Sequence, residues 1–255
     1  VAQGANNSTI DGLIISPQSD ENFHGERTAI RVYADNVTIS NNKIGYFDYT
    51  LPGDGSQRSG AGGISGIHVY NSDTNSELKN VTITNNIIEE IEFKENLEAV
   101  SGSGFATSFG EIYGIHIQGN ISGVSISGNA IRNLSSAAFV RGLAFGQTQS
   151  ILGDDQSDPN MNPREINVIN NTFSALTASY TTFSALTSSY TGAPSFMMTF
   201  GSYILSSNIQ SISQNAFYTD LDQGYQSVYI QHSRNPNDGE LIIEESLKSE
   251  NLFFE

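Results

Sequence analysis

Six residues of chemically useful type stand at matching places in three short segments. They are Arg31, Tyr33, His68, Tyr70, His116 and Gln118. The segments are Ala29-Ile-Arg-Val-Tyr33, Gly66-Ile-His-Val-Tyr70 and Gly114-Ile-His-Ile-Gln118. In each, aliphatics alternate with polar residues at the period of a β-strand, so the polar set shares one face. A guanidinium pairs bidentately with a carboxylate. Adjacent imidazoles are candidate general bases. Planar rings and fork-shaped donors together suit a carbohydrate, an acidic one above all. The plain structural reading is a solvated sheet face, since outward polar residues need no purpose.

A second candidate is a metal site. Asp154-Asp155-Gln-Ser-Asp158-Pro-Asn160 places hard oxygen ligands in a tight loop that suits calcium. Its spacing matches no standard calcium loop, and a solvated acidic turn explains it as well. Gly60-Ala-Gly-Gly63 is not a phosphate loop, because no Lys-Ser/Thr follows it. No motif calls for an organic cofactor. The chain has no Cys, which excludes a thiol nucleophile and a disulfide scaffold. Its 27 acids against 11 bases give a net charge of −16, and no basic stripe exists for duplex nucleic acid. No run of 18 apolar residues exists, so no membrane-spanning helix is expected.

The elements that position these residues are set by a phrase that returns five times. It reads Val37-Thr-Ile-Ser-Asn-Asn-Lys-Ile44, then Val81-Thr-Ile-Thr-Asn-Asn-Ile-Ile88 and Val124-Ser-Ile-Ser-Gly-Asn-Ala-Ile131. Ile166-Asn-Val-Ile-Asn-Asn-Thr-Phe173 and Gln210-Ser-Ile-Ser-Gln-Asn-Ala-Phe217 follow. The second Asn of each aligns as Asn42, Asn86, Asn129, Asn171 and Asn215, at steps of 44, 43, 42 and 44 residues. A fixed period of this size marks a repeat architecture. The phrase predicts a strand, a sharp corner at the Asn, and another strand. Asn suits a corner because it tolerates left-handed backbone. Stacked at about 4.8 Å, the Asn side chains should hydrogen-bond into a ladder. Ile39, Ile83, Ile126, Val168 and Ile212 should form one core stack. Ile44, Ile88, Ile131, Phe173 and Phe217 should form the next.

The Gly-Ile-His strand precedes each phrase. Stacking these strands predicts an exposed column of Arg31, His68, His116, Ala144, Thr199 and Tyr229. Beside it runs Tyr33, Tyr70, Gln118, Gly146, Gly201 and Gln231. Residues 8–15 read as an earlier partial coil and Glu240–Glu244 as a last strand, giving about seven coils. All six prolines fall outside the expected strands, as stacked ladders require. Segments rich in Gly, Ser, Asp and Asn, including 46–65, 92–113, 147–165 and 174–196, read as loops. The near-copies Phe173–Tyr180 and Phe183–Tyr190 read as a tandem duplication inside one of them. No interdomain linker appears, so residues 1–255 read as one domain.

These paired strand types with a stacked Asn corner resemble the repeat of the right-handed parallel β-helix, the fold of the pectin-lyase-like superfamily. The resemblance covers roughly residues 8 to 244 and implies an aliphatic core with a groove on one outer sheet. It implies little about function, because enzymes, tailspikes and adhesins share the fold. The stacked Asp residues and Gly-His-Gly of its hydrolases, the Asp-Pro-His of its epimerases and the calcium-ligand pattern of its pectate lyases are not found here. The expectation is therefore an all-β, extracellular module for adhesion or carbohydrate binding, probing a polysaccharide or cell-surface glycan without catalysis. The competing expectations are a lyase or glycoside hydrolase using Arg31, His68 and His116, and a tailspike-like trimer. Residues 241–255, rich in Leu, Ile and Phe, are expected to cap the last coil. The first coil lacks a cap, which suggests a preceding domain or partner.

Overall fold

The computed structural model describes residues 1–16, 27–50, 64–73, 75–94, 111–136, 139–145, 163–178, 199–204, 208–218, 226–230 and 252–254. All regular structure among them is strand. The strands follow a rhythm of three. The first set is β1 (Thr9–Asp11), β2 (Ile14–Ile15) and β3 (Arg27–Val32). Then come β4 (Val37–Ser40), β5 (Lys43–Thr50) and β6 (Ile64–Asn71), followed by β7 (Leu78–Thr84), β8 (Ile87–Lys94) and β9 (Glu111–Gly119). β10 (Ile121–Ser127), β11 (Ala130–Ser136) and β12 (Phe139–Phe145) repeat it. So do β13 (Arg164–Ile169), β14 (Thr172–Ala178) and β15 (Thr199–Ile204), then β16 (Asn208–Ser213), β17 (Ala216–Tyr218) and β18 (Gln226–Ile230). β19 (Leu252–Phe254) ends the series.

Every third strand pairs in parallel, giving three sheets. The first is β1-β4-β7-β10-β13-β16, the second β19-β17-β14-β11-β8-β5-β2, and the third β18-β15-β12-β9-β6-β3. This is what a parallel solenoid requires, with each pass of the chain adding one strand to each sheet. Alternation fills the interior. Ile39, Ile83, Ile126 and Val168 are fully buried in one stack, and Ile44, Ile88, Ile131 and Phe173 in the next. The register sets Val168 against Ile212 and Phe173 against Phe217, as the phrase alignment expects. Among the described residues no strand contains proline.

The Asn ladder is present from Asn42 to Asn215. Asn42 Nδ2 donates to Asn86 Oδ1 at 3.0 Å, Asn86 to Asn129 at 3.0 Å, Asn129 to Asn171 at 2.9 Å and Asn171 to Asn215 at 3.0 Å. Each Oδ1 also accepts the backbone N–H of the preceding ladder Asn. All five side chains are buried. The left-handed backbone expected of these residues belongs instead to the residue before each. Asn41, Asn85, Asn170 and Gln214 have φ of 55–58°, and Gly128 has 66°. The corner thus divides the work. One residue takes the strained dihedral, and the next turns its amide inward to satisfy backbone groups that would otherwise be orphaned.

A second left-handed column leads into the first sheet through Asn7, Asn36, Asn80, Gly123 and Glu165. Three Asn-X-Ser/Thr triplets fall on these columns, Asn36-Val-Thr38, Asn80-Val-Thr82 and Asn170-Asn171-Thr172, each a left-handed Asn followed by a buried Val or ladder Asn and then by a partly exposed hydroxyl.

Several expectations are corrected. β15 sets Tyr203, not Thr199, opposite Ala144, because Gly201 stands level with Gly142 rather than Gly146. Thr199 pairs with Val140. Ile166 opposes Ile209 rather than Gln210, through a register shift that closes again by Asn167. β14 reaches Ala178, so Phe173–Ala178 of the first tandem copy is strand rather than loop. Its Phe173 and Leu176 are both buried because left-handed Ala175 bends the chain between them. Leu252–Phe254, the described part of the segment expected to cap the last coil, pair in register with Ala216–Tyr218 and extend the second sheet, while residues 241–251 and 255 lie outside the described residues. The strand expected at Glu240–Glu244 and the positions Gly146 and Gln231 lie outside the described residues.

Candidate functional site

The third sheet carries the candidate strip. Its backbone register sets Arg31 against His68, His68 against His116, and His116 against Ala144. Tyr70 pairs with Gln118 in the neighbouring column. The six residues are therefore brought together as the alternation implied, but they are not uniformly exposed. Tyr33 is 38% exposed, and Arg31, Tyr70 and Gln118 are partly so, whereas His68 and His116 are only 2% and 4% exposed. The expectation of an open imidazole column is corrected.

The reason lies in the stacking. The His68 and His116 rings lie parallel at 4.7 Å, and Tyr113 stacks on the other side of His116 at 4.3 Å. Tyr70 leans on His68 at 5.5 Å. Rings at strand spacing cover one another's faces. Arg31 Nη2 reaches His68 Nδ1 at 3.2 Å, and His68 Nε2 reaches Gln118 Oε1 at 3.2 Å. A guanidinium only donates, so Nδ1 is the acceptor. The His68 proton then sits on Nε2 and is donated to Gln118. One side chain from each of three successive strands is thus tied into a single chain of hydrogen bonds.

Tyr113 and Arg141 belong to this cluster, and strict alternation hides them. Arg141 Nη1 donates to the Tyr113 hydroxyl at 2.7 Å, with its guanidinium carbon 5.3 Å from the ring centroid. Tyr113 is three residues before His116, so a period of two would send it inward. The intervening Gly114 changes the phase. A Cβ there would meet Gly142 O at 2.4 Å and Ile131 Cγ2 at 2.7 Å. Gly66 is equally confined, by Gly114 O and Ile88 Cγ2. The glycines let the third sheet press against the second and turn the residue before them outward. Glycine recurring at one place in the repeat was the available signal.

The outer edge of the strip is aromatic. Tyr33 and Tyr70 meet edge to face at 6.0 Å, and the Arg31 guanidinium lies 6.0 Å from the Tyr33 centroid. The four strands β3, β6, β9 and β12 contain Arg27, Arg31, Arg141, His68 and His116 against a single acid, Glu111. On a chain of net charge −16 this is a local excess of basic groups.

Two other polar clusters are structural by their geometry. Arg164 reaches back to Glu77, two passes earlier, and donates to Asn120 Oδ1 at 2.9 Å. Burial raises the Glu77 carboxyl pKa, but hydrogen bonds from Arg164, Lys79 and Ser122 outweigh it and lower it to about 2. On the second sheet, Glu89 is held by Lys43 at 2.8 Å and by Arg132 at 2.6 Å. The Lys43 hydrogen bond, with that of Arg132, keeps its pKa below the usual value against the effect of burial.

The calcium candidate Asp154, Asp155 and Asp158 lies outside the described residues. Among the described residues no group of three His, Cys, Asp or Glu side chains is arranged to hold a metal ion. Compared with protein-family models, with curated proteins and with solved structures, the chain has no match.

Proposed function

We propose that the chain is a right-handed parallel β-helix of about seven coils, built on the plan of the pectin-lyase-like superfamily. On this reading it is a non-catalytic module outside the cell that holds a polysaccharide or cell-surface glycan on its third sheet. The observation that carries the reading is the half-open edge formed by Tyr33 and Tyr70 beside Arg31 and Gln118. The rings offer apolar faces to sugar, and the guanidinium and amide offer directional hydrogen bonds. The local excess of basic groups favours an acidic glycan. Binding is favoured over catalysis because both imidazoles are buried behind the edge, where a substrate does not reach them.

The test is a panel of anionic and neutral polysaccharides presented to the wild-type chain and to Tyr33→Ala/Tyr70→Ala. The wild type should be retained by an anionic glycan and should release no unsaturated ends. The variant should lose retention while its thermal midpoint moves little, since its rings lie at the exposed edge. Equal retention by the folded variant would refute the site. Appearance of unsaturated ends would refute the non-catalytic assignment.

A further inference from the structure

The hydrogen bonds behind the glycan edge fix the direction of their last member. Arg31 can only donate, so His68 accepts at Nδ1 and carries its proton on Nε2. That N–H must then meet an acceptor. Of the two ends of the Gln118 amide only Oε1 can accept, and it stands 3.2 Å away. A His68 carrying both protons would also donate from Nε2, so the direction does not change. The amide oxygen is thereby turned toward the ring and the amide nitrogen away from it. Among the described residues that nitrogen bonds no protein group, and it is not a buried atom. Its two N–H groups therefore face solvent at the partly exposed edge.

The neighbouring groups agree with it. Arg31, a pure donor, lies beside the Tyr33 ring. The Tyr33 and Tyr70 hydroxyls have no partner among the described residues and rotate to donate or accept. None of the six residues of the strip is an acid. A sugar hydroxyl can answer either end of an amide, whereas a carboxylate or sulfate oxygen can only accept. With its nitrogen outward, the amide gives a neutral bond to the first and a charge-assisted bond, roughly twice as strong, to the second. With its oxygen outward it would oppose an anion. We infer that Gln118, held in this direction by His68, makes the edge select an oxyanion carried on sugar, carboxylate or sulfate, over a neutral glycan. This selectivity rests on the glycan reading above and adds what decides between its ligands. His68, buried behind the edge, is a positioning residue.

Two NMR measurements on the full chain and one variant provide the test. Long-range proton–nitrogen correlation of His68 reads the direction without any ligand: Nε2 should carry a proton. A bare Nε2 would overturn the inference. Titration with a galacturonate oligosaccharide, with dextran sulfate and with neutral dextran reads the contact. The Gln118 side-chain N–H signals should move with an anionic probe and not with dextran, and the probe that moves them tells carboxylate from sulfate. Gln118→Glu keeps an acceptor for His68 but turns a charged oxygen outward, and should weaken binding of that anion at least tenfold. Tyr33 and Tyr70 signals that move while those of Gln118 stay still would overturn the inference and leave the glycan site standing. So would dextran held as tightly as the anions, or a folded Gln118→Glu that binds as wild type does. Wild type that responds to none of the three probes would refute the glycan site itself, and the selectivity with it.

Discussion

Replacing Asn129 by Ala tests whether the ladder stabilises the coils or merely decorates them. Asn129 is 1% exposed and makes contacts in both directions. Its Oδ1 accepts Asn86 N at 2.9 Å and Asn86 Nδ2 at 3.0 Å. Its Nδ2 donates to Ile83 O at 3.0 Å, Ser127 O at 3.2 Å and Asn171 Oδ1 at 2.9 Å. Several partners keep other bonds. Asn86 Nδ2 still reaches Ile39 O and Thr84 O, and Asn171 Oδ1 still accepts Asn129 N. The backbone N–H of Asn86 loses its buried acceptor, and Ile83 O loses the side-chain donor. One to two unsatisfied buried groups at about 1–3 kcal/mol each give an expected loss of about 1–6 kcal/mol. The control is Asn85→Gly. Asn85 is exposed with φ 55°, and the same column already holds Gly128, so this change should be near neutral. Urea unfolding of both variants, with the slope compared as well as the midpoint, gives the two values. Matching small losses for Asn129→Ala and Asn85→Gly would refute the ladder as a source of stability.

Other consequences are checked in the same way. Ile126→Ala empties a fully buried site and should cost about 2–5 kcal/mol in the same assay. Gly114→Ala drives a methyl into Gly142 O and Ile131, neither of which can swing aside, and should destabilise by at least about 1–3 kcal/mol. Because Glu77 has a folded pKa of about 2 against its ordinary 4.5, its stabilising effect is complete above pH 4.5 and is lost as pH falls toward 2. The difference in thermal midpoint between wild type and Glu77→Gln should therefore shrink across that window, and a constant difference would show that Arg164 does not stabilise the charged form. His68→Ala should lower the thermal midpoint, since it removes a buried ring between Arg31, His116 and Gln118; an unchanged midpoint would restore the open column expected from alternation.

The fold was legible because its signal was repeated. Val-Thr-Ile-Ser with a constant Asn offset recurs, and each copy confirms the phase of the others. The core stacks and the ladder followed from that phase. The strip was legible in register but not in burial. Alternation tells which side of a strand His68 faces, but not that a neighbouring ring on the next strand lies flat against it. Tyr113 was missed because one glycine shifted the phase within its strand. The displaced column in β15 had a related cause. Two glycines four residues apart, Gly142 and Gly146, both invited alignment with Gly201. The strand at Leu252–Phe254 looked like an apolar cap because its step from the previous phrase is shorter than the others. Its kinship with Ala216-Phe-Tyr218 shows only once the two are paired.

The ladder has a consequence for how such a chain tolerates change. Asn86, Asn129 and Asn171 each bond the ladder amides before and after them, so alignment is re-established at each of these passes. An insertion between two ladder residues lengthens one connection and costs loop-closure entropy that grows only slowly with length. It does not carry forward into the next pass, as a slipped residue in a plain sheet would. The duplicated Phe-Ser-Ala-Leu-Thr segment lies between Asn171 and Asn215, which keep their ladder bond at 3.0 Å across a step of 44 residues, and the local register shift between β13 and β16 has closed by Asn167. A chain built this way can change the length of one connection at a time without disturbing the rest.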